Sequence, residues 1–173
     1  MKKKILLITL MMCILGGINL KTLNAQTVVT IGDGQKDSQY VPFNANADGS
    51  ISQTYYLKSE IGEANKGKTI TAISYKQKSG KSPFSHEIEI YMVNTKSTNA
   101  GGVTMAKLNS SDLVYSGEVE FRIDEWVSIT LDTPFSYTGD NILVCINDKY
   151  IESFASPAPK FYCYSTDAYK TLY

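Results

Sequence analysis

Residues 112–149 have the sequence DLVYSGEVEFRIDEWVSITLDTPFSYTGDNILVCINDK, and this stretch decides the fold class. Apolar and polar residues alternate over 118–123 and over 127–131, and residues 141–146 form an almost continuous apolar run. A period of two places one set of side chains in a core and the other in water, which is typical of β-strands. Asp, Thr, Pro and Gly residues separate the three runs. The stretch therefore predicts three consecutive strands in an antiparallel meander, with a second sheet to cover it.

Most of the remaining chain also consists of short strand-like segments. They cover residues 27–31, 39–43, 51–58, 68–78, 87–94, 161–165 and 169–173. A break in the apolar phase of the fourth segment predicts a β-bulge near Ala72. Residues 60–64 give a hint of a helix and residues 103–108 a hint of a helical turn, and we expect residues 76–83 to be a solvated loop. Short strands rich in aromatic and β-branched residues predict an all-β fold, an antiparallel two-sheet sandwich.

The first 25 residues have the features of a secretory signal peptide. Three lysines precede an apolar segment at residues 5–20, and Ala25 is a small residue at the expected cleavage site. This segment contains Thr, Gly and Asn residues and is shorter than the roughly 20 apolar residues of a spanning helix, which favours cleavage over anchoring. We therefore expect a secreted or cell-surface protein without membrane insertion, with residues 26–173 as one β-sandwich domain. The end of the chain at Tyr173 leaves open that this domain is the N-terminal module of a longer protein.

The mature chain is expected to be acidic. The whole sequence has 17 basic and 17 acidic residues. The signal peptide holds four of the lysines and no acidic residue, so cleavage leaves 13 basic residues and a net charge of about −4. Nucleic-acid binding depends on basic patches that neutralise phosphate groups, so we predict no nucleic-acid partner.

Two cysteines remain after cleavage, Cys145 and Cys163. In an exported protein such a pair is a disulfide candidate. The alternative is two buried thiols that pack as small hydrophobic side chains. The sequence leaves both alternatives open, because it does not give the distance between the two strands that carry them.

The sequence gives no support for catalysis. His86 is the only histidine and is expected at the surface, and no serine has the Gly-x-Ser-x-Gly context of a nucleophile elbow. One histidine and two distant cysteines are too few ligands for a zinc site. The acidic pairs Glu87/Glu89 and Glu118/Glu120 alternate with apolar residues, so we expect them on solvated strand faces and not in a glycosidase cleft. We predict that the protein is not an enzyme.

A calcium site is a weaker candidate. Asn44, Asn46 and Asp48 alternate and precede Gly49, as oxygen ligands do in the first half of a calcium loop. The twelfth position is Tyr55 instead of a bidentate Glu, and most of these ligands are neutral. We expect a plain polar loop and no cofactor, and calcium stays the open alternative.

Tyrosine is abundant, with 12 residues in 173. β-Sheets are rich in tyrosine, so many of these rings are expected to pack against the sheets. Exposed Tyr and Trp rings stack on sugars or anchor protein interfaces. Tyr150 and Phe154 lie in a predicted loop, and Tyr162 and Tyr164 are spaced to share one face of a strand. These four residues are the predicted ligand-binding residues.

Several segments also resemble a known family of modules. They are residues 31–34, 52–56, 60–62, 69–75, 88–93, 113–117, 126–135 and 141–144, of which 126–135 (WVSITLDTPF) is the most specific. Together they resemble the β-sandwich modules of large secreted Bacteroidetes surface proteins, and are broadly similar to gingipain-type adhesin modules. The resemblance covers nearly the whole mature chain and implies a jelly-roll-like sandwich. It also implies core and turn positions for Trp126, Pro134 and Phe135.

The combined expectation is a secreted, non-catalytic module for adhesion or recognition, with a glycan or a protein at the cell surface as its partner. Two alternatives stay open. The chain could instead be a ligand-free structural spacer, or an accessory domain of a larger secreted peptidase or glycosidase. An exposed aromatic platform with flanking polar groups would favour recognition over both alternatives.

Overall fold

The computed structural model describes residues 26–100, 105–149, 155–166 and 170–173. Its strands are β1 (Lys36–Ser38), β2 (Ser50–Tyr56), β3 (Thr69–Ser79), β4 (Phe84–Thr95), β5 (Leu113–Phe121), β6 (Trp126–Ser136), β7 (Asn141–Asp148), β8 (Lys160–Cys163) and β9 (Thr171–Leu172). The helical elements are α1 (Lys58–Ile61) and 3₁₀ turns at Glu63–Asn65 and Ser110–Asp112. The helical hint at residues 60–64 is confirmed. No helix within the described residues has the length and hydrophobicity to span a bilayer.

The strands form two antiparallel sheets, so the predicted two-sheet sandwich is confirmed. One sheet has four strands in the order β1-β8-β3-β6, and the other has five in the order β5-β4-β7-β2-β9. The pairs β1–β8, β2–β7, β3–β6 and β4–β5 describe one long antiparallel hairpin that wraps into two layers. This strand order is that of a jelly roll. β9 adds a short fifth strand beside β2.

The predicted meander of β5, β6 and β7 is wrong. β5 pairs with β4 and β7 pairs with both β2 and β4, all in the five-stranded sheet. β6 instead pairs with β3 in the four-stranded sheet, so the chain crosses between the layers twice within this stretch. Alternation shows which side chains of a strand are buried, and it does not show which strand lies beside it.

The core between the sheets follows the predicted alternation. In β4 the inward residues Ile88, Ile90 and Met92 are buried, as expected. Both faces of β7 are buried, which explains its continuous apolar run. Four phenylalanine rings fill one end of the core, with centroids 5.1 to 6.4 Å apart: Phe43, Phe84, Phe121 and Phe161. Burial of each ring contributes about 1.5–3 kcal/mol to folding.

The predicted β-bulge near Ala72 is confirmed. The register between β3 and β6 shifts here, so that Ile70 lies opposite Phe135 and Ala72 lies opposite Thr130. The additional residues of β6 include Pro134, which we expected in a turn. β6 is an edge strand, where the missing N–H of proline interrupts no ladder hydrogen bond. The strand therefore continues past the proline, and the turn position expected for Pro134 is wrong.

Three other segments differ from the prediction. Residues 27–31 and 39–43 form no strand, because a high β-propensity does not supply a neighbouring strand to pair with. Residues 76–83 are not simply a solvated loop, since β3 extends into them and Gln77 is buried. Its side-chain Nε2 donates to the carbonyl oxygens of Ser79 and Lys81 at 3.0 and 2.8 Å. These hydrogen bonds hold the turn after β3 against the core.

Candidate functional site

The outer face of the four-stranded sheet carries the strongest candidate site. The phase of each strand decides which side chains reach this face. β3 and β8 bury Gln77 and Phe161, so the residue next to each, Lys76 and Tyr162, faces outwards. Trp126, at the start of β6, faces outwards for the same reason. Ile129 and Leu131, which are in the opposite phase, are buried in the core.

Four outward residues, one from each strand, lie side by side across this sheet. Asp37 is opposite Tyr162 in the β1–β8 ladder, and Lys76 is opposite Trp126 in the β3–β6 ladder. Lys76 and Tyr162 adjoin a paired position of the β3–β8 ladder, and Lys76 Nζ lies 5.2 Å from the centroid of the Tyr162 ring. We call Asp37, Tyr162, Lys76 and Trp126 the cross-strand row. Two strand spacings, about 10 Å, separate Tyr162 from Trp126.

Trp126 is the most exposed ring of the row, at 61%. Its neighbours on the outer face of β6, Ser128 and Thr130, are small, polar and exposed. The core position that the resemblance implies for Trp126 is therefore wrong, because its phase is that of the polar residues of β6. Phe135, further along the strand, is buried as expected. The indole ring is available to a partner that approaches this face.

Tyr162 is held by contacts with both its hydroxyl and its ring. The hydroxyl donates to Asp124 Oδ1 at 3.0 Å, and the Lys78 ammonium, like that of Lys76, lies over the ring, 5.5 Å from the centroid. The hydrogen bond to Asp124 raises the pKa of Tyr162, because it stabilises the protonated phenol. Asp124 has a φ of 61°, in the left-handed region, and its N–H donates to the Gln77 carbonyl at 2.9 Å. This turn places the carboxylate beside the row.

The three lysines on this face differ in how close each ammonium group lies to a carboxylate. Lys78 Nζ lies 2.9 Å from Asp37 Oδ2, and Lys160 Nζ lies 3.6 Å from Asp37 Oδ1. The hydrogen bond with Lys78 lowers the pKa of Asp37 and raises that of the lysine. Lys76 Nζ is 3.8 Å from Asp124 Oδ1, and no group among the described residues accepts a hydrogen bond from it. Lys76 is thus the most weakly paired ammonium of these three.

Tyr164 has different surroundings from Tyr162. Its hydroxyl donates to Glu60 Oε1 at 2.7 Å, and Lys170 Nζ donates to the same oxygen at 2.7 Å. Burial, with a further contribution from Glu60, raises the pKa of Tyr164 far above its usual value. Gly32 packs so closely on the ring that a Cβ atom there would collide with Tyr164 Cδ1. The two tyrosines predicted to share one face therefore contact separate parts of the molecule.

The remaining predicted ligand residues are not brought together with the row. Tyr150 and Phe154 lie outside the described residues. In the calcium candidate loop, Asn44 Oδ1 accepts a hydrogen bond from the Asn46 backbone N–H at 3.1 Å, and Asp48 is exposed. This hydrogen bond forms a turn of the kind that Asn adopts without a metal ion. Calcium binding by this loop stays a prediction.

The structure leaves Cys145 and Cys163 unbridged. Cys145 lies in β7 of the five-stranded sheet, in the phase opposite to the core residues Val144 and Ile146, whereas Cys163 lies in β8 of the other sheet. Packed sheets are about 10 Å apart, and a disulfide needs Cα atoms within about 7 Å. In this structure both thiols are free and lie on different sheets, and the disulfide stays a prediction. Burial raises the pKa of the Cys145 thiol to about 11, as expected for a packed thiol.

His86 is not a surface residue, and that expectation is wrong. It is 3% exposed, and its Nδ1 lies 3.0 Å from each carboxylate oxygen of Asp148. Its ring centroid lies 5.6 Å from that of Phe43 and 5.4 Å from that of Phe84. The signal was present in the sequence, since His86 is in phase with Ile88 and Asp148 is in phase with the inward residues of β7. The pair links β4 to β7 inside the core.

Four residues of the site, Asp37 among them, were missed as ligand residues in the sequence. Trp126 was expected in the core, Lys76 in a loop and Asp124 in a turn. The phase of β6 was the available signal for Trp126. No local signal exists for Lys76 and Asp124, because the fold brings their segments together from distant positions in the chain.

Comparison with known proteins gives no match to the chain, whether with protein-family models, curated proteins or solved structures.

Proposed function

We propose that the protein is a secreted, non-catalytic recognition module that binds a glycan on the outer face of its four-stranded sheet. The observation that carries this proposal is the exposure of Trp126 in a cross-strand row with Tyr162. The resemblance to modules of secreted Bacteroidetes surface proteins and the signal-peptide features of residues 1–25 support a location at or outside the cell surface.

Trp126 supplies the apolar contact in this proposal. The apolar face of a sugar ring stacks on an indole, which offers a rigid surface at a small cost in conformational entropy. Full burial of a large apolar side chain contributes about 1.5–3 kcal/mol. A contact of that size gives weak binding alone, so neighbouring polar groups have to orient the sugar.

The polar groups beside Trp126 suit sugar hydroxyls. Ser128 and Thr130 expose hydroxyls on the same face of β6. The Asp124 side chain is 64% exposed, and among the described residues only its Oδ1 is engaged, by Tyr162 and Lys76. Its Oδ2 therefore remains as an acceptor for a sugar hydroxyl. One flat ring with several donors and acceptors around it favours a sugar over a purely apolar ligand.

Binding without catalysis agrees with the positions of the ionisable groups. The His86 imidazole lies inside the core, where a substrate does not reach it. Glu118 and Glu120 are exposed on β5, and Glu120 Oε1 accepts hydrogen bonds from Arg122 at 2.9 and 2.6 Å. A protein partner would use the same indole ring and stays the alternative to a glycan.

A glycan array probed with residues 26–173, with and without calcium, tests the proposal. We expect selective binding that Trp126→Ala weakens at least about ten-fold, because the stacking contact is lost. The free energy of unfolding of Trp126→Ala should stay within about 0.5 kcal/mol of that of the unmodified chain, as for most surface substitutions. Ile51→Ala is the matched control, since Ile51 is an exposed apolar residue, at 45%, on the other sheet.

Each outcome of this experiment has a distinct meaning. Unchanged glycan binding by Trp126→Ala would contradict the site, and a loss shared with Ile51→Ala would point to a general effect. A blank array from folded protein would contradict glycan binding and leave a protein partner, a spacer or an accessory domain as the alternatives. Binding that disappears without calcium would direct attention to the loop at residues 44–48.

A further inference from the structure

We propose that the glycan is anionic and that Lys76 selects its carboxylate or sulfate group. This inference rests on the proposed function, because it assigns a charge to the ligand of the same row. Lys76 is opposite Trp126 in the β3–β6 ladder, and its ammonium group lies over the ring of Tyr162. A single sugar chain therefore reaches both residues, with one ring stacked on Trp126 and an acid group at Lys76.

Lys76 differs from Lys78, two residues further along β3, in its pairing. Lys78 already donates to Asp37 at 2.9 Å. Lys76 has only the 3.8 Å contact with Asp124, whose Oδ1 accepts a hydrogen bond from Tyr162 at 3.0 Å. The Lys76 side chain is 28% exposed, so its ammonium is reachable and partly shielded from water. An acid group of the ligand would accept a charge-assisted hydrogen bond that no described residue accepts in the free protein.

The fold restricts the position of this ammonium before a ligand arrives. β3 lies between β8 and β6, so the Lys76 stem has a strand on each side. The electron-rich face of the Tyr162 ring attracts the ammonium, at 5.2 Å from its centroid. A long side chain that is already restricted loses less rotamer freedom on binding than a free one. The row is therefore partly organised for an anion.

The outer face of the five-stranded sheet has the opposite character. Glu87 lies directly opposite Glu118 in the β4–β5 ladder, and both are exposed. Like charges in such a pair repel each other and also repel an anionic ligand. The net charge of the mature chain, about −4, is thus unevenly distributed, and the row is the more favourable face for an acid group.

Pairs of polymers that differ only in charge test the inference and distinguish a carboxylate from a sulfate. Polygalacturonate against its methyl ester tests a carboxylate, and dextran sulfate against dextran tests a sulfate. At about 0.15 M salt, titration calorimetry should show the acidic member of one pair bound at least about ten-fold more tightly.

Two variants assign this preference to a residue. Lys76→Met keeps most of the aliphatic stem, removes the charge and should reduce the preference to below about two-fold. Lys107→Met is the matched control, because Lys107 is exposed and lies outside the row. It should leave the preference unchanged.

The outcomes distinguish failure of the inference from failure of the proposed function. Equal binding of charged and neutral polymers that Trp126→Ala still weakens would overturn the inference and leave glycan binding in place. Equal losses in Lys76→Met and Lys107→Met would also overturn it, because total charge would then decide. So would a chain that binds neutral glycans on the array and none of the acidic polymers. Absence of all glycan binding would overturn both proposals.

Discussion

Tyr162 and Tyr164 stand two residues apart, and each hydroxyl donates to a carboxylate, yet their surroundings differ. Tyr162 faces outwards from β8 and bonds to Asp124, whose side chain is largely exposed. Tyr164 follows the end of β8 and bonds to Glu60, which is mostly buried and also holds Lys170. The alternation that relates neighbouring residues holds only within a strand, and β8 ends between the two tyrosines.

This difference separates binding from stability. The contacts of Tyr164 join three separate segments, near Gly32, in α1 and before β9. The contacts of Tyr162 lie on an open face and leave the neighbouring Trp126 exposed. We therefore expect substitutions around Tyr164 to lower the free energy of unfolding, and substitutions around Tyr162 to leave it nearly unchanged.

Gly32→Ala should have the largest effect on stability. Gly32 has a φ of +92°, which disfavours a side chain, and the new Cβ atom would collide with the Tyr164 ring. Strain and collision together should cost about 2–4 kcal/mol in the free energy of unfolding, measured with urea. Gly67→Ala is the control, because Gly67 has a φ of +78° and no atom near the built Cβ, so it should cost only about 1 kcal/mol. Equal costs would show that the ring contact is unimportant.

Glu60→Gln should have a smaller effect that depends on pH. Burial works to raise the pKa of Glu60, but hydrogen bonds from Lys170, the Leu57 N–H and Tyr164 outweigh it and hold the pKa below its usual value. A lowered pKa contributes stability that is complete above the unfolded-state pKa, about 4.3, and is lost as the pH falls through the folded-state pKa. The variant should therefore be about 1 kcal/mol less stable at pH 7, and this gap should close towards pH 3.

Urea unfolding of both chains at several pH values measures this gap. Glu63→Gln is the matched control, because Glu63 lies in the adjacent 3₁₀ turn and is exposed. Its gap to the unmodified chain should be small at every pH. A Glu60→Gln gap that stays constant down to pH 3 would contradict the linkage.

The sequence predicts burial in this protein better than it predicts neighbours. The inward set of β4 and the bulge near Ala72 follow from side-chain phase, which the order of residues encodes directly. The same phase places His86 inside and Trp126 outside. The surface position expected for His86 came from its polar context, and the core position expected for Trp126 came from the family resemblance, so both predictions are wrong. The split of β5, β6 and β7 between two sheets depends on pairing over long distances, which local pattern does not contain.

The candidate site is harder to predict than the fold for the same reason. Tyr162 was among the predicted ligand residues, but its partners Lys76 and Asp124 lie some 40 to 90 positions earlier in the chain. Only the register of β3 with β6 and β8 makes them neighbours. The unequal pairing of the lysines depends on distances that differ by about 1 Å, which no residue pattern specifies.

Tyr162→Phe should have the smallest effect on stability, at most about 0.5 kcal/mol, because the lost hydrogen bond joins its hydroxyl to an exposed carboxylate that water solvates instead. Tyr164→Phe removes the same group but leaves Glu60, whose side chain is only 20% exposed, with one donor fewer, and should cost about 1–2 kcal/mol. Parallel urea unfolding of the two variants gives the comparison directly. If Tyr162→Phe proved the more destabilising, the contacts of the outer face would stabilise the fold. A structural role, and not ligand binding, would then account for the row.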